Sequence, residues 1–227
     1  VVWVYRGEVV DIASKAAFNK WLSVICDQVY CDTPVYINEM VNKHKPSSAI
    51  STARVNFLAH LLDNAAEQNL GFEDGKFPPE KTIYLTLLQN TGIHKRIGRE
   101  YLMDTPTEES FLPLWDACEA FLDSTKEKPR KLGELIKILR SRPFKLKQGV
   151  IDLWLPAFLI IKKNDYSLYN DAGIYIHTIT REVLDIMQKS PAGFSVKAFN
   201  VEGVKLDLFS KYREALGIIQ DAEFTAD

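Results

Sequence analysis

Residues 130–161 read RKLGELIKILR, SRPFKLKQG and VIDLWLPAFLII in succession, and this stretch decides the fold. In the first run the apolar residues recur at helical spacing, which predicts a helix over 130–140. A Pro and a Gly in the second run predict a turn, and the third run predicts an apolar helix over 150–161. Residues 166–180 then alternate around Asn170-Asp171-Ala172-Gly173, which predicts a β-hairpin. Helix, turn, helix and hairpin in this order indicate a winged-helix-like module.

Hydrophobic periodicity and capping residues predict several more helices in the rest of the chain. These expected helices cover 14–29, 33–42, 47–62, 78–92, 111–122, 180–189 and 210–219. The expected non-helical parts are a strand at 3–10, a hairpin-like turn at 70–77, linker-like stretches at 102–110 and 123–130, and a segment at 194–208 whose alternation also fits a strand.

The predicted fold class is therefore mainly α, a helical bundle with winged-helix-like modules in which a helix-turn-helix is joined to a β-hairpin. We expect two domains, because 227 residues suffice for two small ones. The first is a helical domain with a helix-turn-helix-like segment over 1–105. The second is a winged-helix-like domain over 106–227.

Composition places the chain among ordinary globular proteins, with 46% hydrophobic and 26% charged residues. The longest apolar run, 150–161, is too short to span a bilayer, so no membrane partner is expected. Three cysteines without framework spacing favour free thiols and a cytoplasmic location. The sequence opens on VVWVYRGEVV without an initial Met, which we interpret as a fragment of a larger parent protein. Its oligomeric state stays open.

No catalytic or metal-binding motif competes with the winged-helix pattern. The chain has no glycine-rich loop ending in Lys-Ser/Thr, no GxGxxG and no GxSxG. Its cysteines and histidines are scattered without ligand spacing, which predicts neither a metal nor a cofactor. We therefore expect this fragment not to be an enzyme.

Charge is concentrated in one segment of the chain. Residues 126–147 hold nine Lys/Arg against two Glu, a net charge of +7, while the rest of the chain carries −9. A basic patch on an acidic body can attract nucleic-acid phosphates or an acidic protein surface. The alternative is a solvated helix face followed by a basic linker.

Ten of the twelve residues of 150–161 are apolar, which indicates a buried helix rather than one that reads bases in the major groove. The preceding cations suit phosphate contact, which positions a protein without specifying sequence. The candidate nucleic-acid-binding residues of this segment are Arg130, Lys131, Lys137, Arg140, Arg142, Lys145 and Lys147. The earlier helix-turn-helix pattern adds Lys43, Lys45 and Arg54, for which exposed polar residues on an amphipathic helix are the alternative.

Three runs carry a family resemblance: NEMVNKHKPSSAISTAR (38–54), FPPEKTIYLTLLQNTGIHK (77–95) and RPFKLKQGVIDLWLPAFLI (142–160). They resemble a region of very large bacterial P-loop ATPases of phage-defence islands, with the BREX-type ATPases as the nearest family, over roughly residues 34–180. The resemblance implies that the Walker motifs lie outside this chain. It also implies a helical and winged-helix module, attached to an ATPase core, that mediates DNA contact or assembly.

Two functional hypotheses remain. The first is a non-catalytic module of a larger, phage-defence ATPase that makes domain, protein or non-specific DNA contacts. The second is a self-standing winged-helix regulator that binds nucleic acid. The apolar run 150–161 favours the first, and the basic segment favours the second.

Overall fold

The structure, a computed structural model, describes residues 2–38, 41 and 47–199. Three predictions lie outside the described residues: the candidate cations Lys43 and Lys45, the end of the alternating segment beyond Phe199, and the closing helix at 210–219.

The described chain is mainly α with small antiparallel sheets. The helices are α1 (Lys15–Val29), α2 (Ser48–Asp63), α3 (Pro79–Tyr84, continued by a π-turn at Leu85–Gln89), α4 (Leu112–Asp123), α5 (Leu132–Arg140), α6 (Gln148–Ile161) and α7 (Arg181–Lys189). The strands are β1 (Trp3–Tyr5), β2 (Glu8–Val10), β3 (His94–Ile97), β4 (Glu100–Met103), β5 (Arg130–Lys131), β6 (Tyr166–Tyr169), β7 (Tyr175–Ile176) and β8 (Ser195–Ala198). Short 3₁₀ turns lie at Gln68–Gly71, Glu109–Phe111 and Pro191–Gly193.

The apolar helix α6 lies in the middle of the core. Ten of its fourteen residues are buried, which confirms the burial predicted from its composition. Trp154 packs against Phe111 and Trp115, with ring centroids 5.8 and 6.3 Å apart, and its indole N–H donates to Cys118 Sγ at 3.3 Å. Because these partners belong to α4 and to the turn before it, α4 and α6 form one aromatic unit.

A four-stranded antiparallel sheet in the order β5-β8-β6-β7 flanks these helices. The hairpin β6-β7 turns at the predicted site, where Gly173 N–H donates to Asn170 O at 3.0 Å and Gly173 has φ +75°. The edge strand β5, which leads into α5, pairs with β8 and not with the hairpin. The sheet is therefore completed only by β8, which follows α7 in the sequence.

The turn between α5 and α6 is held by apolar side chains and by one close approach. Phe144 and Leu146 are buried, and Leu146 N–H donates to Leu139 O at 2.9 Å. At Gly149 a Cβ atom would lie 2.6 Å from the carbonyl oxygen of Val41, so only glycine fits there. The first turn of α6 thus packs directly on backbone from the first part of the chain.

Several sequence predictions are corrected. Residues 33–38 are irregular instead of helical, because their polar groups bond elsewhere: Val35 N–H donates to Ser110 Oγ, and Asn38 Nδ2 to Thr86 Oγ1. Residues 68–77 contain a 3₁₀ turn at Gln68–Gly71, with Leu70 fully buried, and a turn at Asp74-Gly75 as expected, but no strands flank that turn to make a hairpin. The strand expected at 3–10 is a hairpin of β1 and β2.

The two stretches that resembled linkers are packed against the fold. Strand β4 includes Leu102 and Met103, and Thr107 N–H donates to Thr91 O at 2.8 Å. Thr125 is fully buried and its hydroxyl accepts from Ala198 N–H at 2.7 Å. Polar composition suggested linkers here, but specific hydrogen bonds join both segments to the fold.

One hydrophobic core cluster continues from Val41 to Val196 across the expected domain boundary at 105/106. In contrast, α1 has no buried residue and packs its aromatic side on β1-β2, where Trp3 and Phe18 lie 4.5 Å apart. The division into two domains stays a prediction.

Replacement of Trp154 by Ala should lower the free energy of unfolding by about 3–5 kcal/mol, because a large aromatic side chain is removed from a packed core. The matched control is Trp3→Ala, which removes a side chain that is 37% exposed and should cost less than about 1 kcal/mol. Urea unfolding measures both. Equal losses in the two variants would show that α6 is not the centre of the core.

Candidate nucleic-acid interface

The structure divides the predicted basic segment between the two ends of α5. Arg130 and Lys131 lie in β5, just before the helix, whereas Arg140, Arg142 and Lys145 lie at its end and in the turn that follows. The nine-residue helix separates the two groups by about 13.5 Å. The cations of the basic segment therefore form two separate surfaces.

At the first end, both cations already have acidic partners. Arg130 donates to Glu134 Oε2 at 3.0 and 2.8 Å and to Ser124 Oγ at 2.6 Å, and its guanidinium lies over the Phe121 ring. The hydrogen bond from Arg130 holds the pKa of the Glu134 carboxyl below its usual value. Arg130, on the edge strand β5, is thus held by these partners. It would have to break these contacts in order to bind a phosphate.

Lys131 contacts the hairpin turn. Its amino group lies 2.9 Å from Asp171 Oδ1, and this hydrogen bond lowers the pKa of the Asp171 carboxyl. Both side chains remain solvent-exposed, so the pair contributes little to stability and can open at small cost.

At the second end, five cations are exposed on a segment without any Asp or Glu. We call this set the turn cluster, and it consists of Lys137, Arg140, Arg142, Lys145 and Lys147. None of the five forms an ion pair with a described residue. Lys137 interacts with the charge of Glu134 one helical turn earlier, and the charge of the other four is available to an external anion.

The backbone beneath the turn cluster is fixed. Lys145 adopts φ +55°, and its N–H donates to Ser141 O at 2.8 Å. The hydroxyl of Thr33 donates to Phe144 O, which ties the turn to the first part of the chain. The cations consequently extend from an ordered base. The same position also suits the negative end of the α5 dipole, which is a purely structural role for Arg140.

A chain of polar contacts connects the turn cluster to α2. Arg140 donates to the Gln148 side chain, Gln148 donates to Asp152, and Arg54 Nη1 lies 3.0 Å from Asp152 Oδ2. The Arg54 and Asp152 side chains are each about one-fifth exposed. Arg54 therefore joins α2 to α6, and the structure does not bring it into the turn cluster.

The sequence reasoning did not identify the partners of Arg130 and Lys131. Arg130 and Glu134 are four residues apart, a spacing at which opposite charges pair on a helical turn, so this pair was detectable. The contact of Lys131 with Asp171 joins residues forty positions apart and depends on how the sheet is assembled.

Cys118, the buried one of the three cysteines, is unsuited to nucleophilic chemistry. Burial raises the pKa of the Cys118 thiol to about 12, which keeps it protonated and poorly nucleophilic. Within residues 2–38, 41 and 47–199, no group of three His, Cys, Asp or Glu side chains could hold a metal ion. Over the same residues we find no helix with both the length and the apolar character needed to cross a bilayer.

Comparison with protein-family models, with curated proteins and with solved structures finds no match to this chain.

His94 is a buried titratable group whose protonation affects the stability of the fold near neutral pH. It is 4% exposed, and its Nδ1 shares a hydrogen bond with Tyr84 Oη at 2.9 Å. Burial lowers its pKa, so the folded protein binds fewer protons here than the unfolded chain. The contribution of His94 to the free energy of unfolding is therefore complete above the unfolded pKa of about 6.5 and is lost as the pH falls below that value.

The free energy of unfolding should be lower at about pH 5.5 than at about pH 7.5, by up to about 1.4 kcal/mol, because pH 5.5 lies about one unit below the unfolded pKa of His94. His94→Gln should reduce this difference, while the exposed His177→Gln should preserve it. Urea unfolding of each variant at the two pH values gives the comparison. An unchanged difference in His94→Gln would contradict the assignment.

Proposed function

We propose that this chain is a non-catalytic module that holds a double-stranded nucleic acid by its phosphates, without reading its sequence. The observation that carries the proposal is the turn cluster: five exposed cations, no nearby carboxylate within 137–147, and a fixed backbone beneath them. Lys and Arg side chains on a turn contact the phosphate oxygens of a nucleic acid equally well whatever its base sequence.

The burial of α6 supports non-specific contact over base reading. A recognition helix in the major groove must expose polar side chains near its N-terminus. Residues 150 and 151 of α6 are already buried, and the exposed Gln148 is engaged with Arg140 and Asp152. The groove-facing surface that remains is the turn itself, which supplies charge and few base-reading groups.

The architecture supports a winged-helix-like description of residues 112–176, in which helix, strand, two helices and a hairpin follow one another. The pairing of β5 with β8 is a variation on that order. On the resemblance of the runs at 38–54, 77–95 and 142–160, the parent protein is a large bacterial P-loop ATPase of a phage-defence system. The module would then position nucleic acid, or a neighbouring domain, next to the ATPase core.

The second candidate is a self-standing nucleic-acid-binding regulator. The positive charge of the turn cluster favours it as much as it favours the first candidate. A regulator must discriminate sequences, however, and its affinity would depend on the duplex used.

Reversal of Arg140, Arg142, Lys145 and Lys147 to Glu should abolish duplex binding, because four cations become four anions at the proposed phosphate contact. For the wild type, log K should fall linearly with log salt, with a slope of about −0.9 per phosphate neutralised, or about −3.6 for four contacts. Fluorescence polarisation of a labelled duplex, starting at about 50 mM salt, measures both quantities.

The matched control is Lys15, Lys20, Lys76 and Lys163 to Glu, which changes the net charge equally at exposed positions outside the turn cluster. This control should retain most of the affinity. Equal weakening by the two sets would mean that net charge, and not the turn cluster, determines binding. Strong discrimination between duplexes of unrelated sequence would favour the regulator.

A further inference from the structure

The two faces of the four-stranded sheet differ in burial. Strand alternation places Tyr166, Leu168, Val196 and Ala198 in the core, all of them buried. The residues between them therefore point to the opposite face. The outer residues of β6 and β8 are half-buried, and those of β7 are exposed.

The strand register arranges these outer residues in two rows. Lys131 pairs with Ser195, Ser195 with Tyr169, and Tyr169 with Tyr175, so one row crosses all four strands. Ser167 and Lys197 form a second row across β6 and β8. Aromatic rings thus occupy one side of the face, and lysines occupy the other.

The aromatic side continues beyond the sheet. The Tyr169 and Tyr175 rings lie 5.9 Å apart, and His177 lies 4.6 Å from Tyr175. Tyr175 is 43% exposed, which leaves much of its ring free of protein contact. A solvated sheet surface usually carries polar residues, so the exposed rings of Tyr175 and His177, beside the half-buried ring of Tyr169, call for a ligand with flat apolar surfaces.

A groove of about 440 Å³ opens beside the rings, within the range of small-ligand sites. It is lined by Ser167, Tyr169, Lys197 and Phe199 together with the loop at Lys126 and Glu127. No described carboxylate pairs with Lys197. Residues 126–131 along the rim carry four Lys/Arg and one Glu, but Lys126, Arg130 and Lys131 each form an ion pair with a carboxylate. Among the described residues that line the groove, the positive charge that lacks such a partner is therefore that of Lys197.

From this juxtaposition we infer that the outer sheet face, formed by Tyr169, Tyr175, Ser167 and Lys197, is a second binding site, and that its ligand is single-stranded nucleic acid. Single-strand binding surfaces combine aromatic rings, on which bases stack, with lysines and hydroxyls that contact the phosphates and sugars. An acidic peptide would use the lysines but leave the rings unoccupied. The bases of a duplex are stacked on each other and cannot reach the rings. The inference is independent of the proposed duplex contact and assigns a role to the β5 end of the basic segment.

The test uses the full chain and a labelled thymidine oligonucleotide of about 12 nucleotides. Tyr175→Ala should weaken binding about ten-fold, because the ring on which a base stacks is removed, while Tyr175→Phe keeps the ring and should bind as the wild type does. Lys197→Glu should weaken binding and make the salt slope shallower by about 0.7 for each phosphate that is no longer neutralised.

Photocrosslinking locates the site directly. An oligonucleotide with 5-iodouracil should crosslink to the tryptic peptide 164–181, which contains Tyr169, Tyr175 and His177. The turn-cluster reversal should keep this crosslink even where it abolishes duplex binding, so the two proposals fail separately. Absence of single-strand binding, equal binding by Tyr175→Ala and the wild type, or crosslinks confined to 137–147 would each overturn the inference.

Discussion

The burial of α6 is the constraint on which the rest of the structure depends. A helix with ten buried residues in fourteen must be surrounded, and here α4 packs its aromatic side chains on one side while α2 contacts another through Arg54 and Asp152. The close approach of Gly149 to Val41 places the start of α6 against the first part of the chain. The seven-residue turn between α5 and α6 buries Phe144 and Leu146 and leaves its Lys and Arg side chains at the surface.

This geometry explains why the basic segment does not act as one surface. Cations that precede α5 meet carboxylates of the sheet and of α5 itself, whereas cations that follow it have no acidic neighbour in sequence. The proposed duplex contact uses the second group. The proposed single-strand site lies beside the first group, where the outer sheet face provides aromatic rings that the turn lacks. In this proposal the turn cluster contacts its ligand mainly through charge, and the sheet face contacts its ligand mainly through stacking.

Much of the fold could be predicted from local patterns. Ser14 and Thr180 cap helices as their positions indicated, and Ser47, one of two adjacent serines that suited the role, caps α2. The helices α5 and α6 and the β6-β7 hairpin follow from spacing and turn chemistry. The predictions that failed depended on distant partners. Residues 33–38 have helical sequence signals, but Ser110 and Thr86 take up their polar groups, and β5 becomes a strand only because β8 reaches it from beyond α7. For the site, the sequence identified the cations but not which carboxylates would neutralise Arg130 and Lys131.

Hydrogen-deuterium exchange of the full chain, with and without a duplex of unrelated sequence, tests the central claim most directly, since it reports core burial and ligand contact together. The amides of α6 from Ile151 to Ile160 should exchange slowest in the free protein and should not change on binding. The amides of Arg140 to Lys147 should exchange faster in the free protein and become protected by the duplex. Protection that appears along α6, or that leaves the turn unchanged, would contradict the account.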